Sequence, residues 1–200
     1  MSAATKLALG ADAVTHLLPH RRPFLFLDGI TTFSRLEPPT LTGFKHVSVN
    51  EPVFEGHFPG LSLWPGVYTI EGLGQAVNAL LVLLAIVEGF ERHGRSEQDA
   101  LNALRNLDKR LKLAPRAVTE AERALVEHLG SPSDRVGLAG SIDVRLVEPV
   151  FAGSRIDYRV SLTHALANAR RFDVVAEVDG RPVAQGAISS ALPATFVRAR

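Results

Sequence analysis

Glu55-Gly56-His57-Phe58-Pro59-Gly60, followed by Trp64-Pro65-Gly66-Val67-Tyr68-Thr69-Ile70-Glu71-Gly72-Leu73-Gly74-Gln75, is the stretch from which the rest of the chain is most easily read. It holds polar groups among apolar neighbours. A histidine sits in a turn of Gly, Phe, Pro and Gly, and a second Pro-Gly break opens a helical run carrying one carboxylate and one amide. Val67, Ile70, Leu73, Gly74, Val77, Leu80, Leu81 and Leu84 leave that run no continuous polar face, so the spacing predicts a buried helix. Pro65 suits its first position, and the pattern carries it to Gly89 or Gly94 as the longest element of the chain. Gly72 and Gly74 each disfavour helix by about 1 kcal/mol relative to alanine, so a backbone or a ligand is expected to come close there. A buried carboxyl such as Glu71 is costly unless it is partnered or used in chemistry.

The remainder of the chain encloses this helix. With 200 residues and 46% hydrophobic content, one well-buried domain is expected over 1–200, enlarged by an insertion. Asp12 to Leu18 reads as a short helix capped by Asp12 and stopped by Pro19. Strands are expected at Phe24 to Ile30, with Asp28-Gly29 as a turn signal, and at Leu41 to Val49. Residues 87–134 form the insertion. Within it Ser96 caps a helix with a stripe of Leu101, Leu104, Leu107 and Leu111, and Thr119 caps another with Ala121, Ala124, Leu125, His128 and Leu129. From Val136 the period changes to two, and Ile142 to Leu146, Ile156 to Leu162 and Phe172 to Val178 read as strands with one solvated face. Asp179-Gly180 is a hairpin signal that returns the chain through Pro182 to Leu192. A long apolar helix between a strand pair and an antiparallel meander requires a sheet that curls around it, which is an α+β fold.

Composition narrows the function. There are 22 basic and 21 acidic residues, so no global charge points to nucleic acid or to an anionic membrane. Cysteine is absent, which excludes disulfides, thiolate metal sites and a cysteine nucleophile. The apolar run from Ala76 to Val87 is shorter than the roughly 20 residues needed to cross a bilayer, and Met1 to Gly10 lacks the pattern of a signal peptide, so a cytoplasmic protein is expected.

His57 in its loop can simply hold a carbonyl, and Glu71 can lie on a wider polar face than the spacing suggests. Taken together they read differently. Two titratable groups in unlike environments are what acid and base chemistry requires, because one must accept a proton while the other donates. Gln75, one turn beyond Glu71, can orient its carboxyl. Gly66 lies at the helix start, where free amides can hold a developing oxyanion.

Three blocks also resemble a known family: His20-Arg21-Arg22-Pro23-Phe24-Leu25-Phe26-Leu27-Asp28, then Val49 to Gly60, then Pro65-Gly66-Val67 with Ile70 to Ala76. They are similar to the (3R)-hydroxyacyl-[acyl-carrier-protein] dehydratases of bacterial fatty acid synthesis. Val144-Arg145-Leu146, Pro149-Val150, Gly153 and the last hairpin extend the likeness, so it covers roughly 11–85 and 136–192. The resemblance implies the hot-dog fold. It implies that His57 removes the C2 proton of a 3-hydroxyacyl thioester, that Glu71 protonates the departing hydroxyl, and that the Gly66 amide, beside Val67, binds the thioester oxygen. Phe58, Trp64 and Gln75 would support the site. No metal or other cofactor is implied, since the substrate rides on the phosphopantetheine arm of acyl carrier protein. A homodimer or larger homo-oligomer is implied too, because in the family the histidine and carboxylate of one site come from different subunits. Related enzymes that also isomerise the double bond carry aspartate where Glu71 stands.

The departures concern specificity. Ser62 replaces the usual proline, Trp64 is bulkier than usual, and Val136 to Leu138 lack the aromatic that commonly gates the family's acyl tunnel. Arg105, Lys109, Lys112 and Arg116 fall at i, i+4, i+7 and i+11, either a solvated helix face or a docking surface for an acidic carrier protein. The rival functions are a hot-dog thioesterase or coenzyme A thioester dehydratase, and a non-catalytic subunit that binds acyl carriers.

Overall fold

The long helix forms as expected and organises the protein. In the computed structural model, which describes residues 5–112, 118–130, 136–137, 139–166 and 169–191, with the side chains of 109–112 and 191 set aside, helix α2 spans Gly66–Arg92. Pro65 turns out to be its N-cap and Gly66 its first residue. At the other end Gly94 takes a positive φ of 73° while the Arg95 amide reaches back 2.9 Å to the Phe90 carbonyl, a closure that needs a left-handed residue.

Seven antiparallel strands wrap α2 in the order β1-β2-β3-β5-β6-β7-β4 among the described residues. They are β1 Thr5–Leu9, β2 Gly29–Ser34, β3 Thr40–His46, β4 Ala139–Leu146, β5 Arg155–Ala165, β6 Ala169–Val178 and β7 Arg181–Ala191. The alternation of β5 and β6 turns Ile156, Tyr158, Val160, Phe172 and Val174 inward against Leu73, Ala76, Leu80 and Leu83 of α2. Asp179 and Gly180, both at positive φ, make the tight turn between β6 and β7. The architecture is the α+β hot-dog fold, a curved antiparallel sheet around one long helix. α2 is apolar and long enough to cross a membrane by composition, yet 61% of its most apolar window is buried inside this fold.

Several sequence expectations need correction. Phe24 to Asp28 lies outside the sheet, because the Gln75 side chain takes the Phe26 amide at 2.8 Å and the Phe24 carbonyl at 3.0 Å. Strand β2 therefore begins at Gly29, which is no turn. A Cβ there would run into the Phe44 ring and the Leu9 carbonyl, so glycine permits close approach within the sheet. β3 ends at His46 rather than Val49. β1, which the sequence reading passed over, forms an edge strand that buries Leu7 and Leu9. Helix α1 spans Ala11–Leu17 with Gly10 as its cap, and Asp12 lies in the first turn.

α3, Glu97–Lys112, and α4, Glu120–Leu129, lie between α2 and β4 in the chain. Ser96 bonds the Asp99 amide at the head of α3, and Leu101, Leu104 and Leu107 are buried against α1, β1 and α2. Leu111 is beyond the described side chains. Thr119 and Glu122 make a reciprocal capping box at α4. His128 then seats on α2 at Gly89, with Nε2 3.0 Å from the Ala85 carbonyl, where any Cβ at position 89 would collide with its ring.

Candidate active site

The first turn of α2 separates two cavities. On one side His57, Leu63, Trp64, Gly66 and Thr69 line a space of about 280 Å³ with Leu146 to Val150. On the other, Val67, Tyr68, Ile70, Glu71, Gly74, Gln75, Asn78 and Leu81 line about 600 Å³ with His20, Phe24, Ile142, Ile188 and Ser190. A single chain thus brings His57 together with Gly66, and Glu71 together with Gln75 and Val67, and puts the two groups in different cavities.

In the first cavity His57 Nδ1 is 2.8 Å from the Leu63 carbonyl. A carbonyl only accepts, so the proton sits on Nδ1 and Nε2 keeps its lone pair, the form a base requires. Phe58 stacks on the ring at 4.2 Å between centroids. Gly66, as the first residue of α2, has an amide with no carbonyl one turn earlier to bond, which leaves a donor at the positive end of the helix dipole. A side chain there would strike Leu146. Trp64 is 2% exposed, packs edge-on against Phe26, Phe54 and Tyr68, and its buried indole N–H has no partner. It is a wall of the cavity; Ser62 is exposed beside it.

In the second cavity the Gln75 amide donates to Glu71 Oε1 at 3.0 Å, so the predicted orienting pair is present. Gln75 does more than the spacing suggested. It is 1% exposed and also pins Phe24 and Phe26 to the helix. Glu71 itself is half-buried, its side chain 32% exposed, and Val67 is 65% exposed, so the helix face expected to be wholly buried is open at its start. Both line the larger cavity. The two unusual glycines separate here. Gly72 exists because the buried Tyr158 hydroxyl lies against it, whereas a Cβ at Gly74 would meet nothing within 4 Å and would enter the cavity. Burial, with a smaller push from Asp28, drives the Tyr158 hydroxyl far above its usual range, so it stays protonated.

Some contributors carried no clear sequence signal. Phe24 and Tyr68 supply aromatic walls to the larger cavity, and His20 stands with its Nε2 3.5 Å from Glu71 Oε1. His20 and Phe24 lie in the first family block, but only fold proximity places them, with Tyr68, around Glu71. Gly137 lines the same cavity, against Asn78, in the region where the sequence lacks an aromatic. Of the basic stripe, Arg105 is already engaged, with Nη2 2.6 Å from the Lys6 carbonyl and Nη1 3.1 Å from Asn102. It ties α3 to β1. The side chains of Lys109 and Lys112, and all of Arg116, lie outside the described residues.

Residues 18–119 match the family model described as a FabA-like domain. The chain is 31% identical over 186 residues, 93% of its length and 95% of the relative's, to 3-hydroxyacyl-[acyl-carrier-protein] dehydratase FabZ of Neisseria meningitidis. It is 51% identical over 67 residues, 34% of its length and 43% of the relative's, to the FabZ dehydratase of Vibrio atlanticus. Among solved structures, the dehydratase heterocomplex ApeI:P of Xenorhabdus doucetiae is similar at a TM-score of 0.55 and 18% identity, covering 92% of this chain and 93% of that one. An HP0420 homologue from Helicobacter felis follows at 0.50 and 12%, over 90% and 88%. At these identities the two structures speak to the fold alone, and the family rests on the sequence matches. With the paired histidine and glutamate blocks in place on a hot-dog fold, the chain belongs to the FabA-like family of 3-hydroxyacyl-[acyl-carrier-protein] dehydratases.

Proposed function

We propose that this protein dehydrates a (3R)-3-hydroxyacyl thioester, carried on the phosphopantetheine arm of acyl carrier protein, to the trans-2-enoyl thioester in fatty acid or polyketide-like synthesis. The observation that carries the reading is the tautomer of His57. With Nδ1–H committed to the Leu63 carbonyl, Nε2 is a base facing a cavity next to a helix-terminal amide.

The chemistry follows from the residues. Nε2 of His57 takes the C2 proton while the Gly66 amide, at the positive end of α2, holds the negative charge that develops on the thioester oxygen. The C2–H electron pair forms the new double bond as the C3–O bond breaks. Glu71 gives its proton to the departing oxygen, which leaves as water. The histidinium and the carboxylate are then restored by a net proton transfer from one to the other through solvent. No step requires a metal or a redox cofactor.

A dimer completes the site. His57 and Glu71 of one chain line different cavities, and β4 is an edge strand whose Ile142 and Leu146 are 53% and 49% exposed. Val67, Phe58 and Leu61 add exposed apolar surface around the two cavities. Pairing of this edge with a second copy covers that surface and satisfies the open row of backbone groups. The active unit is a homodimer or a larger homo-oligomer, acting in the cytoplasm with acyl carrier protein as its partner.

The test is mass spectrometry of carrier-bound 3-hydroxyacyl substrates of graded length, scored for loss of water, with His57→Ala and Glu71→Gln alongside. Loss of water abolished by either substitution supports the assignment. Activity that survives both overturns the site, and release of a free thiol without enoyl absorbance replaces dehydration by hydrolysis.

A further inference from the structure

The geometry points to His20 as a positioning residue for this dehydration, an inference that rests on the reading above: its Nε2–H and the Gln75 amide converge on Oε1 of Glu71, which leaves Oε2 to carry the proton given to the departing hydroxyl.

The two distances set the argument. Gln75 Nε2 is 3.0 Å from Glu71 Oε1 and His20 Nε2 is 3.5 Å from the same oxygen, a gap that a small rotation of either side chain closes to a hydrogen bond. A carboxylic acid with both donors on one oxygen holds its own proton on the other. That fixes which atom faces the substrate, a choice that a freely rotating carboxyl would leave open at an entropic cost.

Glu71 is the polar side chain that the ring faces. His20 Nδ1 is buried and has no hydrogen-bond partner. Were the proton on Nδ1, a donor would be buried unpaired, and Nε2 would turn a lone pair toward the lone pairs of Oε1. The tautomer with the proton on Nε2 avoids both. The backbone around the ring is anchored as well: Arg21 Nη1 bonds the Leu18 and His20 carbonyls, and Gln75 holds Phe24 and Phe26 against α2. One glutamine therefore orients Glu71 directly and pins the segment that carries the second orienting group.

Electrostatics agree with the geometry. Burial is the main cause that lowers the His20 pKa below its ordinary value; Glu71 on α2 opposes it, and Arg21 on the same segment adds to it. A neutral ring suits the task, because an imidazolium at this distance would stabilise Glu71 as the carboxylate and remove the proton it must donate.

The experiment compares wild type, His20→Ala and His20→Gln in steady-state kinetics with a carrier-bound 3-hydroxyacyl substrate. The histidine tautomer is read in parallel by nitrogen-15 NMR on wild type and Glu71→Gln. His20→Ala is expected to lower kcat roughly tenfold to a hundredfold with KM little changed, the loss of one hydrogen bond to a charged or ionisable group. His20→Gln, whose amide nitrogen reaches the place of Nε2, is expected to recover most of that loss. An unchanged kcat in His20→Ala overturns the proposal, as does a glutamine variant no better than alanine when both remain folded. The NMR arm separates this proposal from the dehydration reading. If wild type forms no enoyl product with any substrate, dehydration fails, while a His20 signal protonated on Nε2 and moved by Glu71→Gln still supports the contact. A signal protonated on Nδ1 and unmoved by that substitution overturns it.

Discussion

At the scale of single residues, two glycines two positions apart in α2 have opposite reasons to exist. Gly72→Ala drives its methyl into the buried Tyr158 hydroxyl, and overpacking of this kind costs about 1–3 kcal/mol. Gly74→Ala enters open space and gains up to about 1 kcal/mol of helix propensity. Thermal melts are expected to move in opposite directions for the two variants. His20 gives a second prediction. Its folded pKa lies below the unfolded value near 6.5, so the unfolded state binds more protons in that range. The contribution is whole above about pH 6.5 and is lost as pH falls toward the folded value. Urea titrations at pH 7.5 and pH 5 are expected to show a smaller acid loss of stability in His20→Gln than in wild type.

The elements show how far pattern alone can reach. Helix α2, the alternation of β5 and β6, the Asp179-Gly180 turn and the Thr119 cap were all legible because each depends on residues close in sequence. Thr119→Ala removes the acceptor for the Glu122 amide, 3.2 Å away, and leaves Glu122, a fully buried side chain, with half of its reciprocal box. A loss of about 1 kcal/mol is expected, read as a lower denaturation midpoint with an unchanged m-value. Phe24 to Asp28 was misread for a physical reason. Its β-forming residues are real, but a glutamine 49 to 51 positions away occupies the backbone groups that a sheet would have used. Spacing is equally silent about Arg105, whose guanidinium finds a carbonyl 99 positions away.

For the whole molecule the decisive quantity is how many chains make one site. If His57 and Glu71 act across a subunit interface, inactive His57→Ala and Glu71→Gln proteins are expected to regain activity when exchanged into mixed dimers. Each mixed dimer then holds one intact site of two, so an equal mixture approaches about a quarter of wild-type activity. A site within one chain gives no recovery. Ile142→Asp and Leu146→Asp place charge on the exposed β4 edge, and light scattering is expected to report dissociation together with loss of enoyl formation. The shared cause is the uncovered apolar surface beside both cavities.

The sequence by itself determined the long helix, the order of most strands, the family blocks, and the pair of titratable groups, His57 and Glu71, proposed for proton transfer. These depend on local periodicity, turn chemistry and residue type. Only the tertiary structure decided that His57 turns Nδ1–H to the Leu63 carbonyl, that Gln75 serves the Phe24 segment as well as Glu71, that His20 stands beside Glu71, and that one chain keeps His57 and Glu71 in separate cavities. Each of these depends on which distant backbone or side chain fills a hydrogen-bonding position, and spacing along a chain carries no record of that.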